Sequence, residues 1–275
     1  MQITELNNVN NNRYSEMKIA ILKLSGKALN EIFTNQDWIT SLLEIKNTFD
    51  GLIIVHGAGQ NISEWSQALG HEVKFHEGQR VTTKETMEVV AAVQAGVLNT
   101  KIISRLQSNG IDAIGLSGVD RGTFVASYKN KTLGYVGIPQ KVGSTAWITE
   151  LLKNGVVPVF SSVCRDEEGN LMNVNADVFT EVMATAMKAE SVFFVSDIQG
   201  VKLQGEIKDT LNEKEIKQGI EAGEITDGMI PKLNSCVKLL DKGINKVWIG
   251  SNNLCYLFKE KDYNNLRGTW IVQSA

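Results

Sequence analysis

Ile21–Asn30 reads ILKLSGKALN. An aliphatic run ends in Lys23, and then come a Ser-Gly turn, a second lysine and the helix-forming Ala28-Leu29. With Ile19 and Ala20 before it, the run is nearly continuous in apolar residues, the pattern of a parallel strand covered on both faces. Ligands of open parallel sheets bind beyond the carboxyl ends of the strands. Whether Ser25-Gly26 holds an anion or only turns the chain therefore decides how the remaining segments are read.

Five further runs repeat the pattern: Leu52–Val55, Ala113–Leu116, Val156–Phe160, Val192–Ser196 and Lys246–Ile249. Helical periods lie between them, at Asn61–Leu69, Lys84–Asn109, Thr145–Asn154, Val178–Ala189, Glu213–Ala222 and Ile230–Lys242. In Lys84–Asn109 the residues Met87, Val90, Ala91, Val97, Leu98, Ile102 and Leu106 form one apolar stripe at three- and four-residue steps. One hairpin is expected, Phe124–Tyr128 with Thr132–Val136. The alternation predicts a three-layer αβα sandwich on a mainly parallel central sheet. The seam falls near Ala189–Ser191, giving two lobes of one domain over residues 17–272, namely 17–189 and 190–272.

The bulk composition excludes several classes. The chain has 275 residues, 43% hydrophobic and 21% charged, with a formal net charge of -3. That balance gives no electrostatic case for nucleic acid or an anionic membrane. No apolar run nears the roughly 20 residues of a membrane span, and the Asn-rich start lacks a secretory h-region. Three scattered cysteines (Cys164, Cys236, Cys255) and three histidines argue against a disulfide framework, a zinc site or a His-based triad, and fit a reducing cytoplasm.

Glycine collects at the strand ends, in Lys23-Leu24-Ser25-Gly26, His56-Gly57-Ala58-Gly59 and Ser117-Gly118-Val119-Asp120-Arg121-Gly122. Glycine lets backbone N–H groups approach an anion, and a following helix N-terminus adds partial positive charge. The P-loop pattern fails, with Ile21 and Ala28 at its required glycine and hydroxyl positions. The dinucleotide fingerprint fails for want of its last glycine. Three more segments place polar residues in apolar settings. Gly78-Gln79-Arg80-Val81-Thr82 offers an arginine fork for a carboxylate or a solvated loop arginine, with Thr82 or Thr83 as N-cap of the long helix. Asn173-Val174-Asn175-Ala176-Asp177 precedes a helix, where Asp177 alone reads as a cap. Thr226–Lys232 puts Lys232 in a first helical turn, against the helix dipole, as if an anion were bound there.

Together these segments resemble the amino-acid kinase family, in the branch that phosphorylates N-acetylglutamate, over about Lys18–Ile271. Ser196-Asp197-Ile198-Gln199-Gly200-Val201 and Gly228-Met229-Ile230-Pro231-Lys232 add to the likeness. The resemblance implies a sheet of about eight strands, with the acylated amino acid in the N-terminal lobe and ATP in the C-terminal lobe. It implies that Lys23 and Lys232 grip the transferring phosphoryl group while Asp177 orients both. Arg80 and Asn173 would bind the substrate's α-carboxylate side, next to Gly57, Ala58 and Gly59. Ser25 and Gly26 would meet phosphate, and Ser196, Asp197, Gly200, Val201, Gly228 and Met229 would border the nucleotide. Mg²⁺ is expected with ATP, and no protein metal site is identified.

The implied reaction is ATP-dependent phosphorylation of the γ-carboxylate of N-acetyl-L-glutamate. Kinases of N-succinylglutamate or of an N-acyl-aminoadipate, and a silent sensor of the same fold, remain alternatives. Such a carboxylate, with a pKa of about 4.3, is ionised at neutral pH and needs no general base. Two positions depart from the family pattern. Ser25 stands where a glycine is usual, as in bacterial uridylate kinases of this fold. Ala58 replaces the middle of three glycines, and its methyl group is expected to face the substrate loop. The resemblance also implies a homodimer through helix 84–109. Residues 1–16 do not read as the extra helix of arginine-inhibited hexamers, so insensitivity to arginine is expected.

Overall fold

The computed structural model describes residues 17–196, 198–226, 228–251 and 268–273, with the backbone only at Lys27 and Glu31. An eight-stranded sheet runs in the order Thr210–Leu211, Gly268–Val272, Lys246–Ser251, Ser191–Ser196, Ile19–Leu24, Gly51–His56, Val157–Ser161, Ala113–Ser117. All neighbours are parallel except Lys246–Ser251 with Gly268–Val272. Helices cover both faces, as the alternation of elements predicts.

Period-two alternation along each central strand builds two cores from one sheet. Ala20, Leu22 and Leu24 turn to one face with Leu52, Ile54, Phe193 and Val195; there they meet Trp38, Leu42 and Ile45 of the helix Gln36–Thr48. Ile19 and Ile21 turn to the other face with Ile53, Val55, Val192 and Phe194, against Met183, Leu233 and Leu239 of the helices Ala176–Met187 and Met229–Asp241. Both sides of Ile19–Leu24 are therefore dry, which explains its nearly unbroken apolar run.

Several elements differ from expectation. Ala113–Ser117 is an edge strand and not a doubly covered one; Ile114 is 38% exposed. The expected hairpin pairs Phe124–Tyr128 with Val136–Val142, because a 3₁₀ turn occupies Lys131–Leu133. These two strands close a small barrel with Val163–Arg165 and Leu171–Val174, which had no separate sequence signal. The helix Gln36–Thr48, capped by the Asn35 side chain, was also not foreseen. Finally, the long helix is α over Lys84–Val90 and Asn99–Gln107 but π over Ala91–Leu98. The π segment buries Val93 and leaves Val97 only half-buried, so the expected stripe breaks at its centre.

Candidate active site

At the carboxyl ends of Ile19–Leu24 and Gly51–His56 lies a cleft of about 290 Å³. It is lined by Lys23, Ser25, Gly26, Gly57, Ala58, Gly59, Arg80, Asn173 and Asp177, nine of the residues singled out in the sequence. Three helix starts meet there, at Gly26, Gly59 and Ala176. The helix Gly59–Ala68 has no side-chain cap bond at Ala58. Its first N–H groups and dipole thus favour an anion in the cleft. A Cβ built on Gly26 or on Gly59 meets nothing within 4 Å beyond its own stretch of chain, so the bare backbone faces open space.

Lys23 is the penultimate residue of its strand, and its ammonium lies 2.6 Å from the Asp177 carboxylate, with side-chain exposures of 12% and 30%. Asp177 is not the helix cap. Asn175 is, its side-chain oxygen accepting from the backbone N–H groups of Asp177 and Val178. That substitution of roles leaves the aspartate free to face the lysine. In the next strand over, Ser196 lies beside the same loop, because Leu24 pairs with Val195 and the Ser25 N–H donates to the Val195 carbonyl at 3.1 Å. Lys232 donates to Ser196 Oγ at 3.0 Å from the first turn of Met229–Asp241, whose start at Gly228 has no side-chain cap. Below them, burial raises the pKa of the Cys236 thiol first, and the Asp177 charge raises it further, while Lys232 acts the other way. One buried thiol thus senses both charged groups.

Arg80 is 8% exposed and not a solvated loop arginine. Its Nη2 donates to the Gly59 carbonyl and to Ser63 Oγ, both at 2.7 Å, and the Phe75 ring covers the guanidinium at 4.9 Å. Burial lowers its pKa from the ordinary value. Nη1 is buried with no hydrogen-bond partner. An orphan charged donor beside a cleft is costly unless a ligand completes it. Asn173 donates to Thr82 Oγ1 at 3.0 Å, which ties the small barrel to the Arg80–Thr82 segment. Thr83, not Thr82, caps the following helix.

The expected nucleotide residues Ser196, Gly200, Val201, Gly228 and Met229 do not line this cleft; Ser196 ends the neighbouring strand, Gly200 and Val201 follow it, and Gly228 and Met229 begin the helix Met229–Asp241. Val201 N–H donates to Thr269 Oγ1 at 2.7 Å. Asp197 falls outside the described residues. Ala58 corrects the sequence reading in part: it lines the cleft, yet it is buried within one core cluster near Ile62. Sequence reasoning missed Gln94, Ser162 and Phe75, all in the lining. Gln94, four residues after Val90 and three after Ala91, falls within the apolar stripe of the long helix, and a polar residue at that buried position is the signal that could have found it. Among the described residues no group of three His, Cys, Asp or Glu side chains converges on a possible metal position.

The amino acid kinase family model matches residues 18–251. The acetylglutamate kinase of Chlorobaculum tepidum is 35% identical over 263 residues, covering 94% of this chain and 92% of the relative. That of Bacillus subtilis is 33% identical over 258 residues, covering 94% and 97%. Among solved structures, N-acetylglutamate synthase from Neisseria gonorrhoeae aligns at a TM-score of 0.79 and 18% identity, over 94% of this chain and 60% of that one. Carbamate kinase from Giardia lamblia bound to AMP-PNP aligns at 0.66 and 13% identity, over 94% and 99%. At those identities the two structures share the fold alone. The family match and the curated relatives each span most of the sequence, and the chain belongs to the amino acid kinase family.

Proposed function

We propose that the chain transfers the γ-phosphoryl group of ATP to the γ-carboxylate of N-acetyl-L-glutamate, giving an acyl phosphate and ADP in arginine biosynthesis. The observation that carries this reading is one cleft holding both the Lys23–Asp177 pair and the incompletely paired Arg80. The acceptor carboxylate is already ionised, so no proton need be removed. What catalysis still requires is alignment of two anions and stabilisation of charge on the phosphoryl oxygens. Lys23 does so from the strand end, with its ammonium fixed by Asp177. Lys232 approaches from the nucleotide side beside Ser196. The N–H groups at Gly26 and Gly59 add dipoles that are already oriented.

Arg80 Nη1 receives the substrate's α-carboxylate, and Asn173 borders it. Ser25 and Gly26 meet the phosphates, while Ser196, Asp197, Gly200, Val201, Gly228 and Met229 frame the nucleotide. No described carboxylate cluster provides a magnesium cage. Mg²⁺ is accordingly assigned to the ATP phosphates, as is usual for this ion, and neutralises phosphate charge when bound. The two lobes, 17–189 and 190–272, share the sheet through the pairing of Ile19–Leu24 with Ser191–Ser196.

The same reading includes a cytoplasmic homodimer that uses helix 84–109 and is insensitive to arginine. No described helix is long and apolar enough to cross a membrane. The half-exposed edge strand carrying Ile114 adjoins that helix and supports a protein contact there. Residues 1–16, on which the arginine expectation rests, lie outside the described set. Sedimentation as a hexamer, or strong inhibition by arginine, overturns this part.

Hydroxylamine trapping tests the reaction. ATP with N-acetylglutamate is expected to give a hydroxamate, with weaker signals from N-succinylglutamate and N-acetyl-aminoadipate and none from UMP. The absence of hydroxamate with every acylated amino acid would refute the proposal.

A further inference from the structure

Beneath the Gly57–Gly59 loop lie His56, Gln94 and Asn99, three buried polar side chains to which the phosphoryl-transfer reading gives no role. The Asn99 amide nitrogen donates to the Val159 carbonyl at 3.0 Å and lies 3.0 Å from His56 Nε2. A carbonyl only accepts, so this orientation of the amide is fixed, and Nε2 must accept as well. The ring proton therefore sits on Nδ1 and donates to the Gly57 carbonyl at 3.2 Å. Burial pushes the His56 pKa down to about 4, which keeps the ring neutral. Gln94 Nε2 donates to the His56 carbonyl at 3.0 Å and to Ser162 Oγ at 2.9 Å.

Two successive carbonyls at the loop entry are thus held by side chains. In a planar trans peptide the next N–H points opposite to the carbonyl. Gln94 consequently sets the direction of the Gly57 N–H, and the His56 ring sets that of Ala58.

Gln94 and Asn99 are five residues apart. On an α-helix that spacing puts them roughly 140° apart, on different faces. Hydrogen bonding from i to i+5, as in the π segment Ala91–Leu98, unwinds the chain and brings residues of that spacing closer to one face. Gly115 on the neighbouring strand leaves the space that Asn99 takes, since a Cβ there would lie 2.0 Å from Asn99 Oδ1. Helix winding and a bare glycine both serve the same contact.

The geometry points to Gln94, Asn99 and His56 as positioning residues for the phosphoryl transfer, with the π turn carrying both amides under the Gly57–Gly59 loop that lines the cleft. This rests on the kinase reading and adds residues that act through the loop.

Gln94→Met keeps the stem and removes the donors. It is expected to lower kcat for hydroxamate formation about tenfold or more, with KM values moved less than about threefold. Asn99→Asp gives up the donor to the Val159 carbonyl and accepts from a proton on Nε2, so the neutral ring turns its Nδ1 lone pair towards Gly57; only the imidazolium keeps both ring contacts. Its rate should fall, relative to wild type, as pH rises from about 6 to 9. Nitrogen-15 spectra of histidine-labelled protein give a readout independent of activity: wild-type His56 should be the Nδ1–H tautomer, and the Asn99→Asp ring the Nε2–H tautomer at high pH. An Nε2–H tautomer in wild type overturns the proposal. So does a folded Gln94→Met enzyme with kcat within about twofold of wild type. If Gln94→Met fails to fold, a pH profile of Asn99→Asp parallel to wild type has the same force. A wild-type chain that forms no hydroxamate refutes the kinase reading instead, and the tautomer still judges the network.

Discussion

Lys23 and Asp177 are 154 positions apart in sequence and 2.6 Å apart in space, one at a strand end and the other in the first turn of a helix. Asn175 takes the capping duty, so the carboxylate is available to fix the ammonium.

Asp177→Asn should therefore leave the helix start intact while releasing Lys23. We expect kcat to fall by roughly 10²–10³, the scale seen when one preorganised donor to a developing anion is lost, with little change in KM. Steady-state hydroxamate assays check this, and a change confined to KM would reassign the pair to ground-state binding.

Arg80 offers a different signature. Arg80→Lys keeps the charge but cannot hold the Gly59 carbonyl, Ser63 and a ligand carboxylate together. The expected outcome is a rise of about tenfold or more in KM for the acylated amino acid, near 1.4 kcal/mol. The KM for ATP should stay close to wild type, and equal increases in both would count against the assignment.

His56 makes stability pH-dependent with a definite sign. The folded pKa, about 4, lies below the ordinary value of 6.5, so below pH 6.5 the unfolded chain binds the extra proton. Its contribution is fully present above pH 6.5 and is lost as pH falls towards 4. Between pH 7.5 and 5 the loss is about 2 kcal/mol. Urea unfolding of wild type and His56→Gln at both pH values measures it; equal slopes would remove His56 as the cause.

Gly200→Ala tests the nucleotide-side loop. Gly200 has φ +137, and a Cβ there would lie 2.6 Å from Ile207 and 2.9 Å from Thr269 Oγ1, the acceptor of the Val201 N–H. Strain and overpacking together should cost roughly 2–4 kcal/mol. A clear drop in melting temperature is expected, and an unchanged one would mean the loop relaxes freely.

Much of the fold was legible in the sequence because local patterns carry it. Apolar runs such as Ile19–Leu24 and Ser191–Ser196 mark doubly covered strands, and glycines such as Gly26 and Gly59 mark bare backbone at the cleft. Arg80, Asn173 and Asp177 could be singled out as polar residues in apolar settings and the family resemblance added Lys23, although the residues alone read Asp177 as a cap and left Arg80 as either a carboxylate fork or a solvated arginine. Short strands of the small barrel, such as Val163–Arg165, were not legible, because three residues carry no measurable period.

What the sequence determined by itself is the layered α/β plan and the strand ends that carry the site, since both follow from side-chain period and backbone freedom. Tertiary structure alone decided that Lys23 meets Asp177, that Arg80 keeps one buried donor without a partner, and that a π turn brings Gln94 and Asn99 to the same loop. Those outcomes depend on how far one element slides or winds against another, and that is set by packing across the sheet.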